Sequence, residues 1–180
     1  IGLSAWILKS GKGQVTHLKL QKLCFYCYGA LLAFDAESEL GDVRFEAWQH
    51  GPVAPEVYDQ YRVFGSSILE PSGLRPMLSP EAEGAMSSVL NVYGRLSAWQ
   101  LREESHSEQP WLEAFRPGQR ASISKASLKE HFKKKFRGPS VTFPERLFGG
   151  SSFQLDRIPM PAFPSLRSMS DTITRILGES

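Results

Sequence analysis

The stretch THLKLQKLCFYCYGALLAF, residues 16–34, decides how this chain folds. Leu20, Leu23, Cys24, Cys27, Leu31 and Phe34 recur at helical spacing and give one continuous apolar face. Leu18, Phe25 and Leu32 widen that surface, which predicts a central helix with Thr16 as its cap. Lys19 and Lys22 fall outside the apolar face.

Upstream, Ile1 to Lys9 reads as the end of a helix stopped by Gly11-Lys12-Gly13. Downstream, Val43 to Trp48 alternates, with Val43, Phe45 and Ala47 on one side, as a short strand or extended arm would. His50-Gly51-Pro52 forces a turn, and Pro55 suits the first turn of a helix carrying Val57, Tyr58, Tyr61 and Phe64 inward. Gly65-Ser66-Ser67 ends that helix. Ser79-Pro80-Glu81 starts another, with a capping hydroxyl, a preset φ and an acid at the positive end of the dipole. Met86, Val89, Leu90, Tyr93 and Leu96 line one face of it; it is expected to run to about Leu101 despite Gly84 and Gly94. A loop through Ser105-His106 and Pro110-Trp111 leads to a last helix, Lys125 to Phe136, that aligns Leu128, Phe132 and Phe136.

Beyond Arg137, prolines and glycines interrupt any long helix, and only Ser170 to Leu177 has helical character. Phe143, Phe148, Phe153, Ile158, Met160 and Phe163 make this tail too apolar for a solvated linker. The reading is a mainly α fold: a compact helical domain over 1–136 with a short β-strand or hairpin element, then an irregular extension over 137–180.

Charge and composition bound the function. Twenty-one Lys and Arg against 19 Asp and Glu give a net charge of +2, without the global field of a dedicated nucleic-acid binder. No stretch reaches the roughly 20 apolar residues of a membrane span, and no basic segment leads into a hydrophobic signal. Cys24 and Cys27 lie within one helical turn, where geometry disfavours a disulfide, so a reduced, cytoplasmic setting is expected. The chain opens on Ile1 and not on methionine, so a native start upstream is expected.

The candidate chemistry is thin. Cys24-Phe25-Tyr26-Cys27 has redox or zinc spacing but sits inside the helix, away from the N-terminal dipole that activates such thiols. No third cysteine completes a zinc site, so packing is the expected role. His50 and His106 could serve as bases, yet no glycine-flanked nucleophile accompanies them. His106 with Glu103, Glu104 and Glu108 matches no metal spacing, and loop tethering is the expected role for both histidines. The basic run Lys129 to Arg137 could take phosphates, although a solvated helix face explains it without interleaved aromatics.

Three blocks from Thr16 onward resemble the Panacea-domain (SocA-like) antitoxin family. The first is Thr16 with Leu20, Gln21, Lys22 and Leu23 in LKLQKL. The second is Phe45-Glu46-Ala47-Trp48 followed by Gly51, Pro52, Val53, Pro55 and Tyr58. The third pairs Ser105-His106 with Pro110-Trp111. Cysteines at 24 and 27 and serine at 105 are modest departures from the family pattern.

The resemblance implies a non-enzymatic, mainly helical scaffold, without cofactor or metal, that binds and neutralises a protein toxin encoded in the same operon. It equally allows an adaptor that delivers the toxin to a cytoplasmic AAA+ protease. An autoregulator that binds nucleic acid through the lysine-rich helix is the remaining alternative. Leu20, Leu23, Phe25, Trp48, Tyr58, Trp99 and Trp111 are expected in the core, with Gly51-Pro52 and Ser105-His106 setting loop geometry. Phe143, Phe148, Phe153, Met160 and Phe163 are the candidate toxin-binding side chains.

Overall fold

The central helix, α2 (His17–Ala33), is buried at every position from 19 to 33. The computed structural model describes residues 2–10, 14–71 and 73–137, and everything below concerns these. Around α2 pack α1 (Gly2–Lys9), α4 (Pro80–Tyr93), α5 (Ala98–His106) and α7 (Lys125–Arg137). A helix enclosed on all sides is apolar all round, which is why its sequence is nearly uninterrupted hydrophobe. Thr16 caps it as expected, its Oγ1 accepting from the Lys19 N–H at 3.4 Å. The two lysines are the exception to the expected pattern. Lys19 is 9% exposed, and its Nζ donates to the Gly94 carbonyl at 2.8 Å, at the end of α4. Lys22 is wholly enclosed.

The α2–α7 contact is built on rings. Phe132 meets Phe25 edge-on at 5.2 Å and stacks on Phe136 at 5.3 Å, while Tyr26 stacks on Tyr93 of α4 at 4.0 Å. Gly29 lets Phe132 lie against the α2 backbone, because a Cβ there would stand 2.5 Å from the ring. Cys24 and Cys27 are free thiols enclosed in this core, and burial pushes the Cys24 thiol up to about 12. They behave as small packed hydrophobes.

A three-stranded antiparallel sheet packs against α2, in the order β2 (Gly51–Val53), β1 (Phe45–Trp48), β3 (Ala121–Ile123). Glu46 pairs with Val53 and Trp48 with Gly51 across the hairpin, and Phe45 pairs with Ile123 on the other side. β3 has no signal in the sequence beyond a three-residue apolar alternation that a turn-rich stretch conceals.

The expected helix from Ser79 to Leu101 is two helices. α4 stops at Gly94, and Ser97 opens α5 with a capping box in which Ser97 and Gln100 each accept the other's backbone N–H. Ser105 and His106 therefore occupy the last turn of α5, not a loop, and Pro110-Trp111 opens α6 (Gln109–Ala114). Trp99, expected in the core, is 63% exposed beneath the Arg102 guanidinium. In α3 (Pro55–Tyr61), Val57 and Tyr61 point inward, whereas Tyr58 is half-buried and Phe64, beyond the helix end, is exposed. The stop at Gly11-Lys12-Gly13 and the whole extension beyond Arg137 lie outside the described residues.

Helix propensity alone predicts that Gly29→Ala stabilises α2 by about 1 kcal/mol. The ring contact reverses the sign: overpacking against Phe132 should lower the unfolding free energy by about 1–3 kcal/mol in a urea titration.

Candidate functional site

β2 is an edge strand, and its outer side is closed by side chains of α2. The Ala54 N–H donates to Gln21 Oε1 at 2.8 Å, and Gln21 Nε2 donates back to the Ala54 carbonyl at 3.4 Å. A primary amide thus pairs with the main chain as a neighbouring strand would. Two residues earlier, the Pro52 carbonyl accepts from Lys22 Nζ at 2.9 Å, and proline at that position has no N–H to satisfy. The polar backbone of 52 and 54 faces α2 while 51 and 53 face β1, as the strand's period of two requires.

Gly51 fits this brace for two reasons. Its φ is +93°, and a Cβ would lie 2.6 Å from Ser105 Oγ, 2.8 Å from Lys22 Nζ and 3.2 Å from His106 Cδ2. Ser105 is fully buried and donates its hydroxyl to the Arg102 carbonyl at 2.9 Å. The His106 ring stacks on Trp111 at 4.3 Å and 5°, and Trp111 Nε1 donates to the Trp48 carbonyl at 3.1 Å, which ties α6 to the end of β1.

The electrostatics follow from enclosure. Burial first, and the Arg102 charge second, bring the Lys22 ammonium down to about 7 from an ordinary 10.5, and no carboxylate among the described residues opposes them. Burial, then Arg102 and Lys22, depress His106 to about 4, so its imidazole is neutral near pH 7. Its Nε2 is buried without a hydrogen-bond partner among the described residues.

The three blocks of the sequence therefore meet at one place, since Gln21, Lys22, Gly51, Pro52, Ser105, His106 and Trp111 all belong to the brace. A family model described as "Antitoxin SocA-like, Panacea domain" matches residues 20–112. Over 144 residues the chain is 33% identical to Antitoxin SocA of Caulobacter vibrioides (strain NA1000 / CB15N), covering 71% of this chain and 75% of that protein. The chain belongs to the SocA-like, Panacea-domain antitoxin family. No solved structure matches it.

Within the Panacea domain, Leu20 and Leu23 fill the core and Thr16 caps α2 just upstream of the matched segment. Val53, Pro110 and Trp111 are buried, whereas Trp48 and Tyr58 are only half-buried. Those two rings wall a cavity of about 380 Å³ beside the brace, with His17 and Gln21 on α2, His50 at the turn, and the 118–120 loop opposite. Trp48 stands 4.7 Å from Tyr58, Tyr58 stands 5.1 Å from His17, and the Arg120 guanidinium lies 4.1 Å over Trp48. Sequence reading missed His17, Gly118, Gln119 and Arg120 here. The available signal was Pro117-Gly118, a turn dipeptide, and Gly118 does adopt a φ of +74°.

Other candidates have different places. Glu108 does not join His106 but is enclosed with His131 at 2.6 Å and Lys135 at 2.9 Å. No grouping of three or more His, Cys, Asp or Glu suited to a metal occurs among the described residues, and no helix there is long and apolar enough to cross a membrane. Along α7, Lys129 and Lys133 meet Asp35 at 2.8 and 3.0 Å, and Lys134 pairs with Glu130 at 2.7 Å. Phe143, Phe148, Phe153, Met160 and Phe163 lie outside the described residues.

Two expectations test the brace. Gly51→Ala should cost at least about 2 kcal/mol of unfolding free energy in urea, from left-handed strain plus the Ser105 and Lys22 contacts. The second concerns pH. Because folded Lys22 titrates near 7 and the unfolded chain near 10.5, the unfolded state holds more protons between them, and stability rises with pH. The slope should approach about 1.4 kcal/mol per pH unit and be read between pH 7 and 9, before unfolded-state cysteines, ordinarily near 9.0, ionise and oppose it. Lys22→Met should flatten this segment of the stability profile.

Proposed function

We propose that this chain is an antitoxin that neutralises a cognate protein toxin by direct, non-enzymatic binding. The observation that carries the reading is the use to which the family's signature side chains are put. Gln21, Lys22 and Ser105 are buried and bonded to main chain, which makes them a frame for a binding surface in place of a set of groups arranged around a reacting centre. The free thiols support a reducing, cytoplasmic setting for the encounter. The apolar tail, with Phe143, Phe148, Phe153, Met160 and Phe163, remains the proposed source of toxin contacts, since such side chains anchor interfaces.

The lysine-rich helix is a poor alternative as a nucleic-acid surface. Lys125, Lys129, Lys133, Lys134 and Lys135 each pair with a carboxylate of the same chain, so phosphates would have to compete for them.

Co-expression with the protein encoded by the adjacent gene should restore growth, and the two should co-purify as a stable complex. Failure to associate at micromolar concentrations would contradict the reading. Toxin half-life separates blocking from delivery to a protease: simple sequestration leaves it unchanged, and an adaptor shortens it. Truncation after Arg137 should weaken the complex while the domain's circular dichroism is retained; undiminished protection would remove the tail from the interface.

A further inference from the structure

We propose that the cavity between α2, the hairpin turn and the 118–120 loop seats an acidic side chain, an Asp or Glu beside an apolar neighbour, on an exposed segment of the toxin. This rests on the toxin-binding reading above and names the feature of the partner that the domain recognises.

The lining offers basic groups and no carboxylate among the described residues. Its ionisable side chains are Lys22, His17, His50 and Arg120, and none is acidic. Nearby carboxylates are already engaged: Glu46 accepts from Trp48 Nε1 at 2.8 Å and meets Arg44 at 3.6 Å, and Glu103 is paired with Arg102. Arg102 in turn donates to His50 Nδ1 at 3.3 Å, which holds that ring at the rim. Two basic groups at the cavity, Lys22 and Arg120, lack an acidic partner among the described residues. Lys22 lies behind the cavity wall, 0% exposed with its Nζ on the Pro52 carbonyl, and a carboxylate in the cavity would favour its protonated form. Arg120 is exposed, its guanidinium 4.1 Å from the Trp48 ring centre, and no carboxylate among the described residues engages its N–H groups, which suit bidentate grip of a carboxylate.

Enclosure makes such a pairing worth more than a surface ion pair, because the cavity walls exclude water from one side. Size and lining set the rest of the occupant. A volume of about 380 Å³ lies at the low end of the roughly 300–1,000 Å³ that small-ligand pockets span, enough for an inserted side chain and its neighbour. Trp48 and Tyr58 supply the half-exposed aromatic wall against which an apolar neighbour packs.

The test is isothermal titration of the full-length chain with the protein encoded by the adjacent gene. Arg120→Glu is chosen because Arg120 is exposed and its loss leaves the buried brace intact, which an unchanged thermal melt verifies. The expected result is a dissociation constant raised roughly tenfold or more, with one Asp→Lys or Glu→Lys substitution on the toxin restoring affinity to the R120E chain. A dissociation constant within about twofold of the wild type, with tight wild-type binding retained, overturns the pocket and leaves the antitoxin reading standing. Weakening that no toxin charge reversal rescues also overturns it. Absence of wild-type binding overturns both.

Discussion

The structure depends on the pairing between the first turns of α2 and the outer edge of β2. Sheet edges expose unpaired N–H and C=O groups, and a three-residue strand has little else to hold it. Here Gln21 offers a side-chain amide in place of a neighbouring strand, and Lys22 takes the carbonyl of a proline that has no N–H to give. The hairpin is thereby bonded to the most deeply buried helix of the domain. Once β2 is placed, Gly51 lies against Ser105 and His106, and Trp111 fastens the end of β1. Three segments far apart in sequence become one frame.

The frame is costly in one respect. Lys22 is enclosed with no carboxylate among the described residues to offset its desolvation, and its amine is correspondingly depressed. An apolar residue of similar length would pack without that penalty, though it would leave the Pro52 carbonyl unpaired. The same amine lines the cavity beside the hairpin, and neither it nor Arg120 has an acidic partner among the described residues. Residues that break a local rule within an otherwise consistent fold often belong to functional sites.

Most of the helical plan was legible because apolar periodicity and caps are local signals. Thr16, Pro55 and Ser79 stand where they cap or open helices, and Leu128, Phe132 and Phe136 face inward as their spacing implies. Fold class followed from these local signals, and the family resemblance from the three blocks between Thr16 and Trp111. The misreadings arose where tertiary contacts override local pattern. Lys22 reads as a solvent-facing lysine until a strand edge is placed beside it. Gly94 reads as a weak point in one helix, whereas a capping box three residues later makes it the end of the first of two. Ser105 and His106 read as loop residues because polar neighbours mask the last turn of α5. One wall of the cavity comes from the 118–120 loop, which turn chemistry marks but no pattern assigns to a site.

Amide hydrogen exchange at Ala54 tests the frame most directly. An edge-strand amide facing solvent exchanges rapidly, whereas one held by Gln21 Oε1 opens only with the core. Protection at Ala54 comparable to that of the α2 amides, lost selectively in Gln21→Ala, is the predicted result. An unprotected Ala54 amide in the wild-type chain, or protection unchanged by Gln21→Ala, would contradict it.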